Sequence, residues 1–260
     1  MSGRLYGARL KIKRAQAHLY KAECLIETFA GQAFKSVTKE HDSETGEGFF
    51  VLHELRRPDL EISLSIGDVL NNLRSALDHL AFQLVKRPVT PSAETPSDDH
   101  QIAFPICDDP NKFEAAKWRI RGAHPAAQTL IEQLQPYPGR TSPFTFQPSN
   151  LALLRKLNDW DKHRLLHVIE SELSAVGFLN SEHVETWSAR DPGRLEAPAE
   201  LARYKVGPGI DPEVDVGFYL VTDVTFEGGP ADGRGVKYLL ATISYEVSSI
   251  VERLAEFVAP

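Results

Sequence analysis

The chain has 260 residues, 42% hydrophobic and 25% charged, with a formal net charge of −7. It can bury a sizeable core without a disulfide scaffold, and it is too acidic overall to coat nucleic acid nonspecifically through counterion release. Cys24 and Cys107 match neither a disulfide framework nor a Cys-rich zinc pattern and are expected to be small buried hydrophobes in a reducing cytosol.

No apolar run approaches the roughly 20 residues that span a bilayer. The N-terminal stretch MSGRLYGARLKIKRAQAHLYKAE is basic but interrupted, without the continuous apolar region of a signal peptide or anchor. The expectation is a cytoplasmic protein without membrane contact.

In chain order, Leu5, Ala8, Ile12, Ala15, Leu19, Ala22, Ile26 and Phe29 alternate spacings of three and four, which predicts an amphipathic helix over about 4–34. AFKSVTKEH, the turn DSETGEG and FFVLHELRR read as a β-hairpin over about 34–57. Pro58 and Asp59 supply a stop and an N-cap. Ile62, Ile66, Leu70, Leu73, Leu77, Leu80 and Leu84 then form one stripe of a helix over about 59–86.

RPVTPSAETPSDDH is a surface loop. After FPI, shorter helical patterns fill about 111–135, a second loop, PYPGRTSPFTFQPS, follows, and about 150–173 reads as another helix. Residues 175–227 turn β-like, most clearly in VDVGFYLVTDVTF, and the chain closes with a helix over about 235–258. The expected architecture is α+β in a single domain over 1–260: mainly a bundle of long helices with an inserted β-hairpin and a small C-terminal sheet.

Two helices carry unusual polarity. In NNLRSALDHL, Asn71, Arg74 and Asp78 border the apolar stripe on one side, while Asn72 and His79 border it on the other. In the second, NDWDKHRLLH, the stripe of Leu153, Leu154, Leu157 and Val168 is continued by Asp161 and Arg164. Burying ions costs several kcal/mol each unless they are paired. The two helices are therefore expected to share one network, with Asp78 on Arg164, Asp161 on Arg74 and Asn71 bridging. Lys162, His163 and His167 crowd the same turn, and histidine titrates near neutral pH.

The stretches GDVLNNLRSALDHLA, FPI and LNDWDKHRLLHVI resemble an uncharacterised bacterial family with such segments, best over residues 60–170. Arg74-SALD-His79 is also similar to the HEPN superfamily of helical ribonucleases and toxin-like proteins, which carry Arg, four to six residues, then His. That resemblance implies metal-independent RNA cleavage at a homodimer interface. His79 would be the general acid/base, Arg74 would hold the phosphate, and Asn71 or Asp78 would orient them. Ser75 after the arginine and the long β segments depart from that pattern.

RNA is the expected partner, with no DNA and no cofactor. The alternative is a non-enzymatic binding or oligomerisation module in which the same residues form a buried structural network. His163, His167 and Glu170 share a helical spacing used by metal ligands but lack the HEXXH order, so they read as a solvated face with no metal. FYLVTDVTFEGGPADGRGVKYLL has the strand, Gly-rich loop and helix order of phosphate loops without the GK[ST] ending. It reads as a surface turn, with Arg234 near a helix N-terminus.

Overall fold

The computed structural model describes residues 3, 5–33, 37–42, 44–55, 57–90, 96, 98–145, 148–179, 184–210 and 216–259, with side chains omitted at 31–33, 170–172 and 174. The predicted long helices form where the apolar stripes place them: α1 Tyr6–Ala33, α2 Leu60–Lys86 and α6 Val236–Leu254. Asp59 caps α2 by accepting from the Glu61 N–H at 2.8 Å. Helices α1 and α2 are antiparallel, since Gly7 lies against His79 while Lys21 pairs with Glu61. Helix α6 lies against both. Every residue of the α2 stripe is buried, as is the α1 stripe apart from half-buried Leu19.

The short helices are α3 Pro110–Ala116, α4 Pro125–Gln133 and α5 Leu151–Asp161. Asp109 caps α3 through the Asn111 N–H at 2.8 Å, and both α3 and α4 open with proline, which needs no N–H partner there. The helix expected over 150–173 is a correction: α5 stops at Asp161 and strand β3 Val168–Leu179 follows. The last turn tightens as the His163 N–H bonds back to the Trp160 carbonyl at 3.0 Å. Beyond it, Leu166 and Val168 are buried on either side of exposed His167, a period of two that suits a strand.

The remaining strands are β1 Val37–Asp42, β2 Glu47–Leu52, β4 Val184–Ala189, β5 Gly193–Arg194, β6 Ala199–Val206 and β7 Gly217–Phe226. They make two antiparallel sheets, ordered β1-β2-β6-β4 and β5-β3-β7. The hairpin β1–β2 is thus no separate insertion, because β2 pairs directly with β6. At its tip, Asp42 accepts from the Glu44 N–H at 2.8 Å, and Gly46, at φ +72°, closes the turn.

The two sheets bury a core of their own, in which Phe50 stacks on Phe218 with centroids 4.0 Å apart and meets Phe178 and Tyr204. The architecture is mixed α+β with two small antiparallel sheets, and the strands carry more of it than the expected mainly helical bundle allowed. Among the described residues, no helix is long and apolar enough to cross a membrane. Cys107 is buried as expected, whereas Cys24 is exposed on α1.

A candidate anion-binding cleft between two polar helices

The polar residues of α2 are explained by the chain that crosses them. Residues 102–108 belong to no helix or sheet, so their backbone N–H and C=O groups need partners elsewhere. Side chains supply them. Arg74 and Asp78, one turn apart on α2, pair at 2.8 Å. Together they grip Phe104: Arg74 Nη2 donates to its carbonyl at 2.8 Å, and Asp78 Oδ1 accepts from its N–H at 3.0 Å.

Just beyond the end of α4, buried Gln135 accepts from the Cys107 N–H at 2.7 Å. Its amide donates to the Pro105 carbonyl at 3.0 Å and the Ile131 carbonyl at 2.9 Å. Arg155 of α5 donates to the Ile106 carbonyl at 2.8 Å and reaches Asp108 at 3.4 Å. Asp108 also holds Lys112, and that hydrogen bond keeps its carboxyl below the usual range. Burial pushes the Cys107 thiol up, with Arg155 opposing.

The clamped segment floors a cleft of about 560 Å³ whose walls include Asn71, Arg74, Asp78, Arg119, Asn158 and Lys162. Past Asn71, Asn158 and Lys162 it continues into a hollow of about 540 Å³ walled by Lys21, Glu61, Asp68 and Asp161. The first compartment holds the cations Arg74, Arg119, Arg155 and Lys162 against Asp78 and Asp159, an excess of positive charge in an acidic protein. The second is acidic.

Asp161 packs on α2 where Gly67 leaves room, since a Cβ at 67 would lie 2.5 Å from its Oδ2. Burial, reinforced by the neighbouring Asp68, raises the Asp161 carboxyl above its ordinary value. His18 Nδ1 lies 3.3 Å from Asp68 Oδ2.

The structure thus brings α2 and α5 together, with Asn71 on their shared wall, but it does not form the expected cross-helix pairs. Asp78 binds Arg74 of its own helix, not Arg164, and Arg74 does not meet Asp161. Arg164 is exposed, its guanidinium 4.9 Å from the Trp160 ring centroid. Position 164 lies past the end of α5, at the border of the stripe beside Trp160, and its side chain lies on the indole instead of entering the core.

Lys162, 3.8 Å from Asp159, is exposed, as are His163 and His167. The latter two no longer share a helix face, and the Glu170 side chain lies outside the described residues. His79 is exposed on the opposite border of α2, its ring against Gly7 of α1, so it does not meet Arg74 within one chain. Among the described residues there is no group of three or more His, Cys, Asp or Glu side chains able to hold a metal ion. Arg234 is turned to Asn150 at 3.4 Å.

Gln135, Arg119 and Arg155 escaped the sequence reading. The partners of Gln135 and Arg155 are main-chain groups that no side-chain pattern encodes, and Arg119 lies on the ring of its neighbour Trp118. Comparison with protein-family models, with curated proteins and with solved structures gives no match.

Proposed function

We propose that the chain is a binding module whose α2–α5 cleft receives a small anionic ligand, with Arg74 and Asp78 holding the cleft floor instead of forming a cleavage centre. One observation carries this reading: the Arg74–Asp78 pair is spent on the Phe104 main chain, with His79 on the other border of the helix. The cations left for a ligand are Arg119, stacked 5.0 Å from the ring of its neighbour Trp118, and Lys162. Among the described residues neither is bonded to the backbone through its side chain, and both line the wall above the clamp. Asn71 and Asn158 add neutral donors and acceptors between them.

A second reading keeps the ribonuclease chemistry in a homodimer. Its support is that His79 is exposed, available to meet the Arg74 cleft of another copy.

Calorimetric titration with inorganic pyrophosphate, beside a labelled-RNA cleavage assay, separates the two. Binding weakened about tenfold in R119E/K162E, at unchanged melting temperature, is the expected result. No pyrophosphate binding by the wild type rejects the cleft reading. RNA cleavage that is lost in His79→Ala establishes the second.

A further inference from the structure

The outer side of α5 bears another hollow, of about 820 Å³, which shares Arg155 with the clamp. Its wall follows helical spacing through Arg155, Lys156, Asp159, Trp160, His163 and Arg164, and Pro230 closes the far side. The last two residues stay with this face because the N–H groups of His163 and Arg164 both bond to the Trp160 carbonyl, at 3.0 and 2.8 Å. The indole is half-buried. One edge rests on Gly229, where a Cβ would lie 3.4 Å from Cζ2, and Arg164 covers it by a cation–π contact.

Lys156, Arg164 and His163 surround the indole, while Arg155 is engaged by the Ile106 carbonyl and Asp108, and Lys162 approaches the opposing Asp159 from the cleft side. Among the described residues, neither Lys156 nor Arg164 forms an ion pair. An apolar ligand gains nothing from that rim, and a bare anion gains nothing from the indole. A ligand that uses both has a flat ring beside a negative group.

We infer that this groove binds a nucleotide unit, with its base stacked on Trp160 and its phosphate held by Lys156 and Arg164. Arg164 then exchanges its contact with the indole for the phosphate, and base stacking replaces it on the ring. The hollow lies within the size range of small-molecule sites. The unit is supplied either as a free nucleotide or as one residue of a single strand. The site uses Trp160, Lys156 and Arg164, whereas the anion cleft uses Arg119 and Lys162, so either reading can fail without the other.

The test is fluorescence anisotropy of a labelled oligouridylate of about ten nucleotides, a length that covers one such site. Unlabelled oligomer, uridine monophosphate and inorganic phosphate serve as competitors. Trp160→Leu and K156E/R164E are each expected to weaken binding about tenfold, the latter also flattening the salt dependence. Trp160→Phe, which keeps a ring against Gly229, retains binding within about threefold.

Displacement by the mononucleotide assigns the groove to free nucleotides, and displacement by oligomer alone assigns it to a strand. The inference is overturned by absence of binding at low salt, by equal affinity across wild type and the two disabled variants, or by inorganic phosphate competing as well as the mononucleotide. K156E/R164E alters exposed rim residues, so it remains informative even if Trp160→Leu misfolds.

Discussion

Two kinds of non-helical chain occur in this molecule, and they are held differently. In the sheets, β2 and β6 satisfy each other's backbone groups through a ladder that is indifferent to side-chain identity. Residues 104–107 lie in no ladder, and Arg74, Asp78, Gln135 and Arg155 take its place, each from a fixed position on or near a helix. A ladder spreads its stability over many equivalent bonds. A clamp concentrates it in a few side chains, and Arg74 and Asp78 of α2, which look catalytic in isolation, find their purpose there.

The largest difference should come from Gln135. It is 1% exposed and makes three main-chain bonds. Gln135→Ala strands buried backbone groups and leaves a void, so denaturant unfolding should show a loss of about 3 kcal/mol. Thr186→Ala, on an exposed strand position of β4, should change stability by less than about 0.5 kcal/mol. Equal losses at the two sites would erase the distinction between clamp and ladder.

Asp161 marks the limit of the clamp, a charged side chain that meets α2 with no main chain to grip. Gly67→Ala gains helix propensity but drives a methyl group into that carboxylate, 2.5 Å from Oδ2. The net loss should be about 1 kcal/mol, and adding Asp161→Ala in the same chain should return most of it. Thermal melts of the single and double variants measure the coupling.

The smallest effect is a pH dependence. Because the Asp161 carboxyl is raised in the folded state from its ordinary value of 3.8, the native protein holds that proton longer than the unfolded chain does. Its contribution favours folding fully below the unfolded value and is lost as pH rises through the folded one. Asp161→Asn should remove this decline, so the variant's melting temperature should gain on the wild type as pH climbs through that window and then hold a constant lead. A lead that shrinks with rising pH would reverse the assignment.

The legible parts of the fold were those set by local repetition. The stripes of α1 and α2 and the Asp59 cap were read correctly because 3.6-residue periodicity and capping act within one element. The hairpin was legible from its turn residues, but its pairing with β6, some 150 residues further along, was not.

The helix beyond Asp161 was misread because Leu165, Leu166, Val168 and Ile169 satisfy helical spacing almost as well as alternation. A helix continued through that stretch would carry Arg164 toward the core, whereas it is exposed. In the site, the placement of Arg74 and Asp78 on one border of α2 and His79 on the other followed from sequence, as did the approach of Asp161 to α2. What Arg74 and Asp78 bind did not follow, because their partner is the backbone of Phe104, which any residue but proline would present there.

By itself the sequence determined which residues lie inside α1 and α2 and on which border of α2 the polar ones stand, since both depend only on the angle between successive side chains. The tertiary structure decided which charges are spent and which remain. That depends on the path of residues 102–108 and on where α5 ends, and both are set by contacts between segments far apart in the chain.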